Sequence, residues 1–175
     1  MADDYSPLWR DQDELIWEGL ELNLLKQRDF GIGTCVPTSL AMIASAISGE
    51  EVHPNRFMEG DLSVNTQSPQ DWSDKLQTFG GQLAYCNSDS RNLENYIAEL
   101  IEYNDLFMIG FYSDKPNRKA GAGTSTGSSH MVTMYQDKIY DTNGGHMFPA
   151  NAYERTDCMV KRIFRVVQKG HPRKV

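Results

Sequence analysis

The sequence predicts an α+β domain, and three observations carry that expectation. Helical signals dominate the first hundred residues, short apolar strand-like runs dominate the rest, and no βαβ alternation links the two. At 175 residues the chain fits one domain with a core of ordinary size. We therefore expect a single unit over 1–175, with an acidic N-terminal extension (1–25), a flexible loop (114–129) and a basic tail (168–175).

Residues 11–26 (DQDELIWEGLELNLLK) fit helical spacing only in part, because Leu20, Leu22 and Leu24 also alternate and Gly19 interrupts the pattern. After a glycine-rich approach (FGIGT, 30–34), the run CVPTSLAMIASAIS is apolar almost all round. That marks a buried helix opening near Pro37 and closed by Gly49. SPQDWSDKLQTFG (68–80) carries full helix punctuation: Ser68 to cap, Pro69 in the first turn, Asp71 on the positive end of the dipole and Gly80 to stop. GQLAY (81–85) reads as a strand. Residues 90–104 read as a third helix, with Leu93, Ile97, Leu100 and Ile101 on one face.

LFMIGFY (106–112) is a buried strand by its length and apolarity. The stretch DKPNRKAGAGTSTGSS (114–129) cannot pack and is longer than usual connections. HMVTMY and KIYD form a hairpin turning at Gln136-Asp137, GGHMFPANAY is turn-rich, and CMVKRIFRVV is a last strand.

Net charge is −7, which argues against a nucleic-acid partner, because such binders need a basic footprint. No apolar run approaches a membrane span, and the first residues lack the features of a secretory signal. A cytoplasmic protein, or one exported without a cleaved signal, is expected. Three cysteines without CxxC spacing argue against a disulfide framework or a zinc site. The front is acidic and the last fifteen residues carry only basic charges, from Lys161 to Lys174. The two ends would neutralise each other, or the tail would meet an acidic partner.

Chemistry concentrates at Cys35. A helix N-terminus offers unpaired N–H groups and a partial positive charge, both of which stabilise a thiolate. From helix position alone, a small buried hydrophobe is the simpler account of this residue. A nucleophile needs a base, and His130 opens a strand directly after a loop, whereas His53, His146 and His171 sit in linker, turn and tail. With a two-residue turn at 136–137, Tyr135 pairs with Lys138, and Asp141 falls diagonal to His130 on the same face. Asp141 is the preferred orienter and Asn143 the reserve, the alternative being that Asp141 merely starts an Asx turn. Gln27 is the candidate side-chain oxyanion donor beside the Cys35 backbone N–H.

These residues carry a resemblance. Gln27 followed by Cys35-Val36-Pro37-Thr38-Ser39-Leu40-Ala41-Met42 resembles the catalytic helix opening of papain-like cysteine peptidases, most nearly the bacteriocin-processing, double-glycine group. His130 to Tyr135 and Lys138 to Asn143 are similar to that family's His strand and the Asp-terminated strand after it, and the latter also resembles bacterial effector peptidases. WSDKLQTFGGQLAY and LENYIAELIEYNDLFMIGFY resemble the intervening segments, so the likeness spans about residues 27–145. Val36 stands where the family usually has glycine, and Gln27 lies somewhat further from the cysteine. The resemblance implies a helical half bearing Cys35 packed on a small antiparallel sheet bearing His130 and Asp141. It implies thiol hydrolysis of a protein or peptide substrate without cofactor or metal. Acyl transfer on the same triad and a non-catalytic binding module are the alternatives.

Overall fold

The computed structural model describes residues 17–30, 35–58, 68–86, 90–113, 115–117 and 130–175. The first part of the acidic extension, the glycine-rich residues 31–34 and most of the 114–129 stretch lie outside the described residues.

Among the described residues, three α-helices and six strands make up the fold, which is α+β. Helix α1 (Cys35–Ser48) is buried continuously from Val36 to Ala44, as its all-round apolarity requires. Gly49 leaves it at φ +75°, a left-handed conformation that suits glycine. Helix α2 (Pro69–Gln77) starts with a reciprocal capping box between Ser68 and Asp71. It buries Trp72, Ser73 and Leu76.

The third helical pattern is only partly realised. Leu93–Asn95 form a 3₁₀ turn, and α3 covers Ile97–Tyr103, ending at Asn104 with φ +55°. The cause is local competition for backbone donors: Leu93 N–H donates to Cys158 O (3.0 Å) and Glu94 N–H to Thr156 O (2.8 Å), which ties this segment to a neighbouring strand's approach.

Strands β1 (Gly81–Cys86), β2 (Leu106–Phe111), β3 (His130–Tyr135), β4 (Lys138–Asp141), β5 (His146–Pro149) and β6 (Val160–Gln168) form one sheet in the order β1-β6-β2-β3-β4-β5. Every neighbouring pair is antiparallel. The last strand is thus inserted between the first two, where it pairs Phe107 with Arg165 and Leu83 with Val166. Strand β5 falls in the segment expected to be turn-rich. It is a short, mostly exposed edge, so it lacks the burial alternation by which a strand is recognised.

Both faces of the sheet are covered. Leu106, Met108, Met131, Phe164 and Val166 pack under α1 and α2, while Phe107, Ile109, Val132, Met134 and Ile163 pack under α3. This is the period-two alternation of strands buried on each side.

The described parts of both terminal segments pack onto the fold. The described part of the extension, residues 17–25, is not helical, and Leu20, Leu22 and Leu24 are half-buried while Glu21 and Asn23 are exposed. Alternation won over helical spacing, and the segment lies as an extended strap on the α1 face. It is latched at Trp17, whose indole N–H donates to Val166 O (2.8 Å) and whose carbonyl accepts from Tyr135 (3.0 Å). The basic end is tied to the sheet edge. Arg165 is fully buried in β6, and Gln82 Nε2 donates to His171 O (2.8 Å) and Arg173 O (2.7 Å), tying 169–175 along the β1 edge. Tyr85 N–H adds a bond to Lys174 O (3.2 Å) and helps close that edge.

Candidate active site

The hairpin register places the candidate base and orienter. Tyr135 pairs with Lys138, Met134 with Ile139 and Thr133 with Tyr140, and Gln136 takes φ +58° in the turn. Asp141 therefore lies one step past the ladder, diagonal to His130. Their side chains meet: His130 Nε2 and Asp141 Oδ1 are 2.8 Å apart, and the two residues are only 5% and 2% exposed. With Nε2 occupied by the carboxylate, the other ring nitrogen is left for the thiol, and the Cys35 side chain hydrogen-bonds the imidazole. Phe111, paired with His130 across β2 and β3, lies nearly parallel to its ring at 6.5 Å between centroids.

Electrostatics follow from this contact set. Burial works against a charged imidazole, but the hydrogen bond and charge of Asp141, joined by those of Cys35, raise His130 from 6.5 to about 9. Burial would likewise raise Asp141. The bonds from His130, from Tyr153 and from the Asn143 N–H outweigh it and hold the carboxyl below its usual value. The pair is thus an imidazolium beside a carboxylate at neutral pH.

Asp141 is also the Asx-turn starter of the alternative account, since Asn143 N–H donates to its Oδ1 at 2.9 Å. The two readings are compatible: one oxygen serves both the turn and the imidazole. Asn143 itself is exposed, contributes its backbone, and does not replace Asp141 against His130.

Cys35 opens α1 and is half-buried, while Cys86 and Cys158 are buried; none of the three is in a disulfide. Gln27 lies in a 3₁₀ turn (Gln27–Asp29) at the end of the strap. Its backbone N–H donates to Thr142 O (2.9 Å), and its side-chain Oε1 accepts from Thr142 Oγ1 (3.2 Å). The strap thus delivers Gln27 to the residue following Asp141. Gly145, at φ +68°, admits the Lys26 side chain so closely that a Cβ there would stand 2.3 Å from Lys26 Cγ. The other histidines serve locally: His53 Nδ1 accepts from Asn55 N–H, His171 Nδ1 accepts from Arg173 N–H, and His146 is exposed on β5.

Sequence spacing did not reveal Tyr153 and Arg155. Tyr153 donates its hydroxyl to Asp141 Oδ2 at 2.7 Å, and Arg155 Nε lies 3.9 Å from the same oxygen. Both follow β5, and only recognising that strand would fold the segment back onto Asp141. A groove of about 730 Å³ runs between the strap and the C-terminal half of α1, beside Glu21, Leu25, Phe30, Glu50 and Val52. Neither Cys35 nor His130 lines it.

Among the described residues, no helix is long and apolar enough to cross a membrane, and no cluster of three or more His, Cys, Asp or Glu is placed to hold a metal. No family model and no curated protein sequence matches the chain.

Proposed function

We propose that the chain is a cysteine peptidase of papain-like architecture, hydrolysing a peptide or isopeptide bond in a protein or peptide substrate. The single observation that carries this reading is the buried His130, bonded on one side to Asp141 and on the other to the Cys35 thiol at the start of a buried helix. A nucleophile, a base and an orienter in hydrogen-bond contact are what acyl-transfer chemistry needs.

In this mechanism the Cys35 thiolate attacks the scissile carbonyl carbon, and the carbonyl electron pair moves onto oxygen. The backbone N–H of Cys35 and the Gln27 amide stabilise that oxyanion. The Thr142 hydroxyl donates to the oxygen end of the Gln27 amide and fixes that side chain beside the residue following Asp141. As the tetrahedral centre collapses, the imidazolium of His130 protonates the leaving amine and a thioester remains. Water then enters, His130 accepts its proton, and the second collapse releases the acid and the thiol, with the proton returning to the Cys35–His130 pair. Asp141 holds the ring orientation and offsets its charge throughout.

The test is iodoacetamide labelling at pH 6–7, read by mass spectrometry at each cysteine. Cys35 is expected to label faster than a free small-molecule thiol and to slow about tenfold or more in His130→Ala. Incubation with a peptide library is expected to yield cleavage products and a thioester adduct on Cys35 alone. Labelling of Cys35 that is indifferent to His130→Ala would overturn the reading and leave a structural cysteine.

A further inference from the structure

Asp141 uses both of its oxygens. Oδ1 faces His130 Nε2 at 2.8 Å and the Asn143 N–H at 2.9 Å, which leaves Oδ2 as the place where the carboxyl could take a proton or from which it could rotate away. Oδ2 is covered instead by Tyr153 Oη at 2.7 Å. The mechanism above makes no use of this phenol, which is only 3% exposed.

The phenol is fixed by its surroundings. Tyr153 follows a 3₁₀ turn (Ala150–Ala152) whose first residue is buried and donates its N–H to Asp137 O at 2.8 Å. Its ring meets Phe148 of β5 edge-on at 5.2 Å between centroids, within the core on the α3 side. The hydroxyl is thus carried by two elements that pack against the hairpin, and its direction is set by packing.

We propose that Tyr153 is a positioning residue: its hydroxyl, donated to Asp141 Oδ2, holds that carboxylate ionised and keeps Oδ1 turned onto His130. The inference rests on the peptidase reading for its functional consequence, but its physical content does not. A carboxylate fixed by donors on both oxygens cannot swap them by rotation, and protonating it at Oδ2 requires breaking the tyrosine bond. The groups facing Asp141 are His130 from β3, the Asn143 amide from the turn, and Tyr153 and Arg155 from the segment after β5. Glu154 and Arg155 act on Tyr153 in opposite senses. Burial and the neighbouring carboxylate keep the phenol protonated far above its ordinary value, so it acts here as a donor.

The experiment compares the full chain with Tyr153→Phe, which removes the hydroxyl and keeps the ring, and with Phe148→Leu, which alters the packing of that ring and keeps the hydroxyl. Proton NMR near pH 7 reads the low-field resonance of the His130 Nε2–H. It should be sharp in the wild type and in Phe148→Leu, and broadened or lost in Tyr153→Phe. With a cleavable substrate, kcat should fall about tenfold in Tyr153→Phe at little cost in KM, and the acid limb of the pH profile should move up by about one unit. An unchanged Nε2–H resonance in Tyr153→Phe would overturn the proposal. So would the same broadening in Phe148→Leu, which would mark the effect as packing. The wild type gives a reading without any variant: the Tyr153 hydroxyl proton should exchange slowly with solvent, and exchange at the solvent rate would overturn the proposal. If no substrate is ever cleaved, the peptidase reading fails while the NMR measurement still decides the role of Tyr153.

Discussion

His130 carries its charge in an unfavourable place, and it can do so only because Asp141 and Cys35 touch it. That gives a pH signature in stability as well as in chemistry. The folded value of about 9 lies above the unfolded value of 6.5, so the native state holds this proton more tightly. Its contribution to stability is complete below pH 6.5 and is lost as pH rises to about 9. Asp141 has the opposite sign: its value is lowered from 3.8, so its contribution is complete above that pH and is lost on acidification through the lower folded value. Urea unfolding between pH 6 and 10 is expected to show stability falling across the window from 6.5 to 9, and a flatter profile over that window in His130→Gln. Equal slopes in the two proteins would mean that the imidazole does not hold its charge in the fold.

At the scale of elements, the turn from Asp141 to Gly145 is where strap and sheet meet. Its first residue faces His130, its second takes both the backbone and the side chain of Gln27, and Gly145 admits Lys26. Gly145→Ala places a Cβ 2.3 Å from Lys26 Cγ on a residue at φ +68°. The strained backbone is expected to cost ~1–2 kcal/mol, seen in urea midpoints, and displacement of Lys26 would shift its neighbour Gln27. On the proposed peptidase reading, turnover should then fall while Cys35 labelling by iodoacetamide stays close to wild type, because that reading assigns Gln27 to the oxyanion and not to the thiol–imidazole pair. Labelling that fell in parallel with turnover would show that the turn acts on the pair itself. The hairpin turn that precedes it shows what the sequence could convey. Gln136-Asp137 fixed the hairpin register from local spacing, and the register placed Asp141 beside His130 before any tertiary contact was known. Capping residues and apolarity located α1 and α2 for the same local reason. The strap, β5 and the shortened α3 were not legible in this way. Each is decided by backbone donors and apolar surface contributed from far along the chain, as when Glu94 bonds to Thr156.

For the molecule as a whole, the buried ion pair of Asp105 and Arg165 ties several elements together away from the candidate site. Arg165 sits in β6, the strand inserted between β1 and β2, and is wholly buried. Its Nε and Nη2 both donate to Asp105 Oδ2, at 2.8 and 2.6 Å. Asp105 Oδ1 accepts the Trp17 N–H at 3.3 Å, and the adjoining Gln136 N–H donates to Asp105 O at 3.1 Å. Asp105 therefore joins the strap and β6 through its carboxylate, and the β3–β4 turn through its backbone carbonyl. Read along the chain, Arg165 belongs to a basic run, and nothing local indicates a partner sixty residues upstream. Asp105→Ala leaves a guanidinium buried without its counter-charge and is expected to cost ~3–5 kcal/mol. Replacing both partners, as Asp105→Leu with Arg165→Met, should cost clearly less, because no unpaired charge remains. Urea denaturation of the two variants gives the comparison. It also separates two roles of the carboxylate, since the double variant restores charge balance but not the bond to Trp17. If the double variant is stable yet turns over slowly, the Trp17 latch is what carries the strap, and with it Gln27, to the site. If it is both stable and active, the ion pair serves folding alone and the indole bond to Val166 is sufficient to seat the strap.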